Sequence, residues 1–218
     1  MAEFPETQWS RLLEMRDREG PRYAERLEEL AARYWTPVYH YARALRPGAE
    51  AEDLVQQFFA MLLSRRDLEK LSPERGSFRG FLKTAFKRVV ASSERAAAVR
   101  PRPCRFDEAE AAWAQSGGRD PEAAFDREWA RGVLLEAVGR LRGEVDPGRY
   151  ELFRELCLGD DAVSYDAAAR ARGWSADDVR NRLREIRARL REILREQLRD
   201  TLGPGGDVET ELRAVLGA

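Results

Sequence analysis

Between Ser175 and Arg199 apolar residues return mostly every third or fourth position, as Val179, Leu183, Ile186, Leu190, Ile193, Leu194 and Leu198. That spacing points to a long amphipathic helix with one buried stripe. Ser175 offers a side-chain oxygen to the free N–H groups of a first turn, and Asp177 and Asp178 put negative charge at the positive end of the helix dipole, so the helix is predicted to begin there. The remaining surface is basic: from Val179 to Arg199 eight arginines stand against three glutamates. Just upstream, Tyr165 to Arg172 reads as a short helix. Ala169, Gly173 and Val179 fall where a helix-turn-helix takes a small contact residue, a turn glycine and a core anchor. Two readings follow: a helix that enters a DNA major groove, or a solvated outer face that pairs Glu185 with Arg189, Glu192 with Arg195 and Glu196 with Arg199.

A chain of 218 residues allows one large domain or two small ones, and its wealth of helix formers predicts an all-α fold. Lys and Arg total 38 against 39 Asp and Glu, a net charge of −1, which excludes a uniformly basic coat for nucleic acid and shifts attention to local patches. No apolar run is long enough to span a membrane, and the first residues carry no leader pattern, so a soluble, cytoplasmic protein is expected. Cys104 and Cys157 stand far apart and His40 is alone, so a disulfide framework, a metal cage and a nucleophilic triad all lack their parts. Carboxylates alternate with arginine on helix faces without a pair that suits a pocket. The chain is therefore expected not to be an enzyme, with no catalytic residue, metal or cofactor.

In chain order, a first helix around Trp9, Leu12 and Leu13 is interrupted at Gly20-Pro21, and a second runs from about Arg22 to Leu45 with Pro37 as a local kink. Glu50-Ala51-Glu52-Asp53 opens a third whose apolar residues cover more than one face. Either it is the central helix of a bundle, or part of its surface meets a partner. A fourth is predicted from about Phe78 through Ala97. Between Arg79 and Arg105 eight basic residues face Glu94 alone, and Arg79, Lys83 and Lys87 share one side, a repulsive row unless a polyanion faces it. Pro101 to Pro103 stops this helix, and an acidic stretch containing Ser116-Gly117-Gly118 reads as a linker on which Trp113 is placed to dock. A second helical unit starts at Pro121, and a short separate helix closes the chain from Asp207 to Leu216.

Four stretches carry a resemblance that covers almost the whole chain. Tyr34-Trp35-Thr36-Pro37-Val38-Tyr39, Glu50 through Phe59, Ser77-Phe78-Arg79-Gly80-Phe81-Leu82 with the basic run after it, and Ser164 through Arg191 are together similar to bacterial RNA polymerase sigma factors of the extracytoplasmic-function type in the sigma-70 family. The resemblance implies a region 2-like helical domain at 1–103, a linker at 104–123, a region 4-like helix-turn-helix domain at 124–202, and a C-terminal extension helix at 203–218. It also implies a non-enzymatic specificity subunit. Asp53, Leu54, Gln56, Gln57 and Phe58 would contact the clamp coiled coil of the polymerase's largest subunit, the flap being the second contact of the core enzyme. On that basis Phe58→Ala is expected to abolish docking with the fold intact.

The same resemblance assigns Ser72, Arg75 and Ser77 to a pocket for a base flipped from the −10 element, with Lys83, Lys87, Arg88, Ser92 and Arg95 along the melted strand. Ser175, Arg180, Asn181, Arg184 and Arg187 would face the −35 duplex, where arginine pairs with guanine and asparagine with adenine. Arg88 and Ser92 stand where many members carry asparagine, and Glu185 and Ala188 where basic residues are frequent, so the bases read are expected to differ. The partners implied are core polymerase and promoter DNA, with an anti-sigma protein or a regulatory kinase as the kind of controller such a factor takes. A stand-alone helix-turn-helix regulator and a sigma-like helical interaction protein remain open beside this reading. In the free protein, an arrangement that folds back to hide both basic faces is expected.

Overall fold

The computed structural model describes residues 12, 15, 17, 20–46, 50–64, 72, 77–99, 120–159, 163–202 and 206–217. The expected positions of Trp9, Arg75 and Trp113 lie outside these. Among the described residues there are eight α-helices, one π-helical turn and no strand, so the fold is all-α. The helices are α1 (Tyr23–Leu45), α2 (Glu50–Ser64), α3 (Phe78–Val99), α4 (Pro121–Glu144), α5 (Pro147–Phe153), α6 (Tyr165–Arg172), α7 (Ala176–Thr201) and α8 (Val208–Leu216), with the π turn Arg154–Leu158 extending α5.

Local chemistry sets the helix starts. Asp120, Asp146, Ser164, Ser175 and Asp207 each accept a backbone N–H at an N-terminus, and Pro121 and Pro147 occupy first-turn positions where a missing N–H costs nothing. At Ser175 the reciprocal box is complete: Asp178 N–H donates to Ser175 Oγ at 3.1 Å and Ser175 N–H donates to Asp178 Oδ2 at 3.1 Å. Between α6 and α7 the chain turns at Gly173, whose φ of 66° is the left-handed conformation that glycine adopts without a Cβ penalty. Leu152, Ala168, Ala169 and Val179 close a small separate core behind that turn, so the small residue and the anchor read from the sequence do meet.

The main core is continuous across both sides of the expected linker. It runs from Leu12 and Met15 through Tyr34, Phe58 and Phe86 to Phe125, Leu141, Ile193 and Val215. Helix α4 makes this possible: α1 packs on it more extensively than on any other element, and α7 and α8 pack on it as well. Its buried residues Phe125, Trp129, Val133, Ala137 and Leu141 follow the helical period of the α1-facing stripe.

Two sequence expectations change here. The many-sided apolar character of α2 is used internally: Ala51, Leu54, Val55, Phe58, Phe59 and Leu62 are all buried, because α2 lies against both α1 and α3. Phe58 is 0 % exposed and meets Phe59 at 5.3 Å and Phe86 at 5.4 Å between ring centroids. Phe58 and Leu54 are therefore core residues in this arrangement, 0 and 6 % exposed. The second change concerns Glu185, which pairs with Arg149 at 3.1 Å and not with Arg189. Arg189 turns instead to Glu144 at 2.6 Å and Glu196 at 3.3 Å, and so ties α7 to α4.

Candidate functional site

Three surfaces carry the residues singled out in the sequence. On α2, Asp53, Gln56 and Gln57 are exposed, as are Glu50 and Glu52 in the first turn. Their spacing puts them on the side opposite Leu54, Val55 and Phe58, so the helix offers an acidic and amide-rich strip to solvent while its apolar residues hold it in the bundle.

On α7, Arg180, Asn181, Arg184, Arg187 and Arg191 are exposed, and steps of four and three align Arg180, Arg184, Arg187 and Arg191 along one side. Arg180 is held lightly by Asp177 at 2.9 Å, and Arg187 Nη2 lies 3.4 Å from Cys157 Sγ. Ser175 is occupied as the cap, its hydroxyl donating to Asp178 Oδ2 at 2.7 Å. Trp174, which sequence reasoning left without a role, lies 4.3 Å beneath the Arg182 guanidinium, a cation–π contact that orients the base of this helix.

The third surface is α3. Ser77 caps it, its Oγ accepting from Gly80 N–H at 3.2 Å, while Ser72 is half-buried. Arg88, Ser92 and Arg95 are exposed, and Arg95 Nε donates to its own helix at Ala91 O, 3.1 Å away. The row Arg79, Lys83, Lys87 does face negative charge, and the chain itself supplies it. Lys83 Nζ lies 3.0 Å from Glu122 Oε2 and 2.8 Å from Asp126 Oδ1, and Lys87 Nζ lies 2.7 Å from Glu122 Oε1. Arg79 Nη2 reaches both Glu211 oxygens at 2.7 and 2.9 Å.

Glu122, Asp126 and Glu211 were not among the residues picked from the sequence. A signal for two of them existed: Glu122 and Asp126 are four apart, the same interval as Lys83 and Lys87, so two helices laid side by side can match them.

Glu122 is the hinge of this electrostatics. The hydrogen bond from Lys87 holds its carboxyl down at about 2, with Lys83 helping and burial opposing. Burial first, then Glu122, pushes the Tyr41 hydroxyl up to about 12, and Tyr41 donates to Glu122 Oε1 at 3.2 Å. Lys87 is raised by the hydrogen bond to Glu122. A depressed carboxylate stabilises the fold fully above its ordinary value of 4.5 and loses that contribution as pH falls toward about 2. The raised Tyr41 acts in the other direction, contributing below its ordinary 10.0 and losing it as pH rises through about 12. The contribution of these two groups to stability should therefore be constant between 4.5 and 10.0 and be lost outside that window. In thermal melts at stepped pH, the gap between the parent and Glu122→Gln is expected to narrow from pH 4.5 toward 2; a constant gap would remove Glu122 from the account.

No group of three or more His, Cys, Asp or Glu among the described residues is placed to hold a metal ion, and no helix of the described residues is long and apolar enough to cross a membrane. Residues 30–98, from α1 to near the end of α3, match the family described as Sigma-70 region 2. The match covers about a third of the chain and makes α1 to α3 similar to sigma-70 region 2. It stops before α4, so the α4–α8 part stands on its own geometry. No curated protein and no solved structure matches the chain.

Proposed function

We propose that this chain is a sigma factor of the extracytoplasmic-function type, acting in the cytoplasm to bring core RNA polymerase to a small set of promoters. Residues 1–103 serve as the region 2-like domain, 104–123 as the linker, 124–202 as the region 4-like helix-turn-helix domain and 203–218 as an extension. The observation that carries the reading is the exposed Asp53, Gln56, Gln57 strip inside the segment that matches Sigma-70 region 2. Carboxylate and amide groups on a rigid, well-packed helix suit a basic, polar coiled-coil partner such as the polymerase clamp. The Arg180, Asn181, Arg184, Arg187 side of α7 supports −35 reading, since it is open and bears the residue types that pair with guanine and adenine in the major groove. Lys83, Lys87, Arg88, Ser92 and Arg95 on α3 serve the −10 strand, with Ser72, Arg75 and Ser77 at its edge.

Gel filtration of the chain with bacterial core RNA polymerase, followed by run-off transcription on a promoter library, tests this. Co-elution and new start sites are expected. Asp53→Arg, a reversal on an exposed position, should abolish co-elution and leave the melting temperature within about 2 °C of the parent, as surface changes do. Co-elution undiminished by Asp53→Arg would remove the α2 strip from the interface. Failure of the parent to co-elute, together with salt-sensitive binding to duplex DNA, would replace the proposal with a stand-alone regulator.

A further inference from the structure

The basic row of α3 is covered by two helices from further along the chain, α4 and α8. Arg79 is enclosed on three sides. Glu211 of α8 takes its Nη2 with both carboxylate oxygens, Asp126 of α4 stands 3.5 Å from Nη1, and the Trp129 ring lies 4.3 Å beneath the guanidinium. Lys83 is held between Glu122 and Asp126, with its ammonium 5.1 Å from the centre of the Phe125 ring. Only 20 % of the Arg79 side chain and 14 % of the Lys83 side chain remain exposed. Ser77, at the edge of the expected base pocket, faces a small cavity walled by Tyr34, Trp129, Thr201, Leu202 and Glu211, so the end of α7 and the start of α8 close over it.

Glu122 and Glu211 have a local reason to be where they are, since each lies in the first turn of its helix where the dipole favours acid. Asp126 lies one turn further in and has no such reason. What the three share is the row they face.

We propose that α4 and α8 form an autoinhibitory latch: Glu122, Asp126 and Glu211 occupy Arg79, Lys83 and Lys87 in place of DNA phosphates, and single-stranded DNA binds α3 only after they withdraw. The proposal rests on the reading of α3 as the face for the melted strand. A guanidinium that gives Nη2 to both oxygens of a carboxylate does not offer the same hydrogens to a phosphate, so the two states exclude each other. The latch is also reversible by design. The pairs of Lys83 and Lys87 reach carboxylates that stay 39 and 43 % exposed and so are individually weak, whereas a strand presents a regular line of phosphates to the whole row. Arg88, Ser92 and Arg95, left open at the other end of α3, give the strand its first hold.

The test is a full-length triple variant, Glu122→Gln, Asp126→Asn, Glu211→Gln, titrated against a short fluorescein-labelled oligothymidylate at fixed salt. A control triple, Glu25→Gln, Glu28→Gln, Glu151→Gln, makes the same change in net charge at exposed positions away from α3. The latch triple is expected to bind on the order of tenfold more tightly than the parent, and the control about twofold or less. Equal gains in both, or none in the latch triple, overturn the proposal. Zero-length carbodiimide cross-linking of the parent supplies a second measurement that needs no variant. A Lys83 to Asp126 cross-link should form in the free protein and be suppressed by saturating oligothymidylate; a cross-link that persists undiminished overturns the latch. Co-elution with core polymerase is scored separately. A gain by the latch triple with no polymerase binding by any form keeps the latch and removes the sigma reading, whereas polymerase binding by all forms with equal gains removes the latch alone.

Discussion

Phe58→Ala is expected to lower the free energy of unfolding by about 3–5 kcal/mol. The ring is 0 % exposed and sits at the junction of α2 and α3, edge-on to Phe86 at 5.4 Å and to Phe59 at 5.3 Å, while Phe59 stacks on Trp35 of α1 at 5.4 Å. Removing it forfeits the transfer free energy of a fully buried ring and opens a cavity that three helices cannot all collapse into. Against a total stability of roughly 5–15 kcal/mol this is a large fraction, and at about 2–4 °C per kcal/mol it lowers the melting temperature by on the order of 10 °C. Phe58→Leu, which keeps most of the volume, should cost much less. Chemical denaturation of both variants checks this. A Phe58→Ala protein as stable as the parent would mean that the ring is not in the core. Loss of polymerase binding in Phe58→Ala is consequently a folding result, whereas the same loss in Asp53→Arg is a surface result.

The difference between those two residues shows where the sequence is legible and where it stops. On α7 one stripe repeats at helical intervals, the opposite side is uniformly polar, and a cap and a glycine mark its neighbours. Ser175, Gly173 and Val179 therefore take the roles that their spacing assigns. On α2 the apolar residues go nearly all round, which says only that the helix has several apolar neighbours, inside the chain or outside it. Periodicity counts the faces but does not identify what covers them. The structure shows that α1 and α3 take Leu54 and Phe58, leaving Asp53, Gln56 and Gln57 as the strip that an outside partner can reach.

A similar limit explains the acidic cover of α3. The like-charge row was visible because it lies within one helix, where local spacing sets distance. Its answer is split between the first two turns of α4 and the first turn of α8, both distant from α3 in sequence. The shared four-residue interval shows that Lys83 and Lys87 can match Glu122 and Asp126, but not that they do; the packing of α4 on α1, and of α8 on α4 and α7, brings the partners together. A row of cations on one helix face calls for facing negative charge, and in the free chain carboxylates fill that place.

Phe125→Ala should separate what Phe58→Ala destroys. Phe125 is 0 % exposed, meets Tyr41 of α1 edge-on at 5.9 Å, and lies under Lys83 of α3. With Trp129 and Val133 it is the apolar anchor by which the C-terminal helices hold the N-terminal three, whereas α2 and α3 do not depend on it for their own contacts with α1. In the parent the continuous core makes unfolding a single cooperative event, so helical circular dichroism and tryptophan fluorescence should report one midpoint. Truncating the anchor costs a similar 3–5 kcal/mol, but that loss falls on the join between two groups of helices that each keep buried residues of their own. Two resolved transitions are therefore expected in calorimetry. The same variant should weaken the ion pairs that Phe125 shelters and raise affinity for oligothymidylate. A single, merely lower transition with unchanged oligonucleotide binding would show that Phe125 supports one indivisible core and that the acidic cover does not open by moving α4 away from α1.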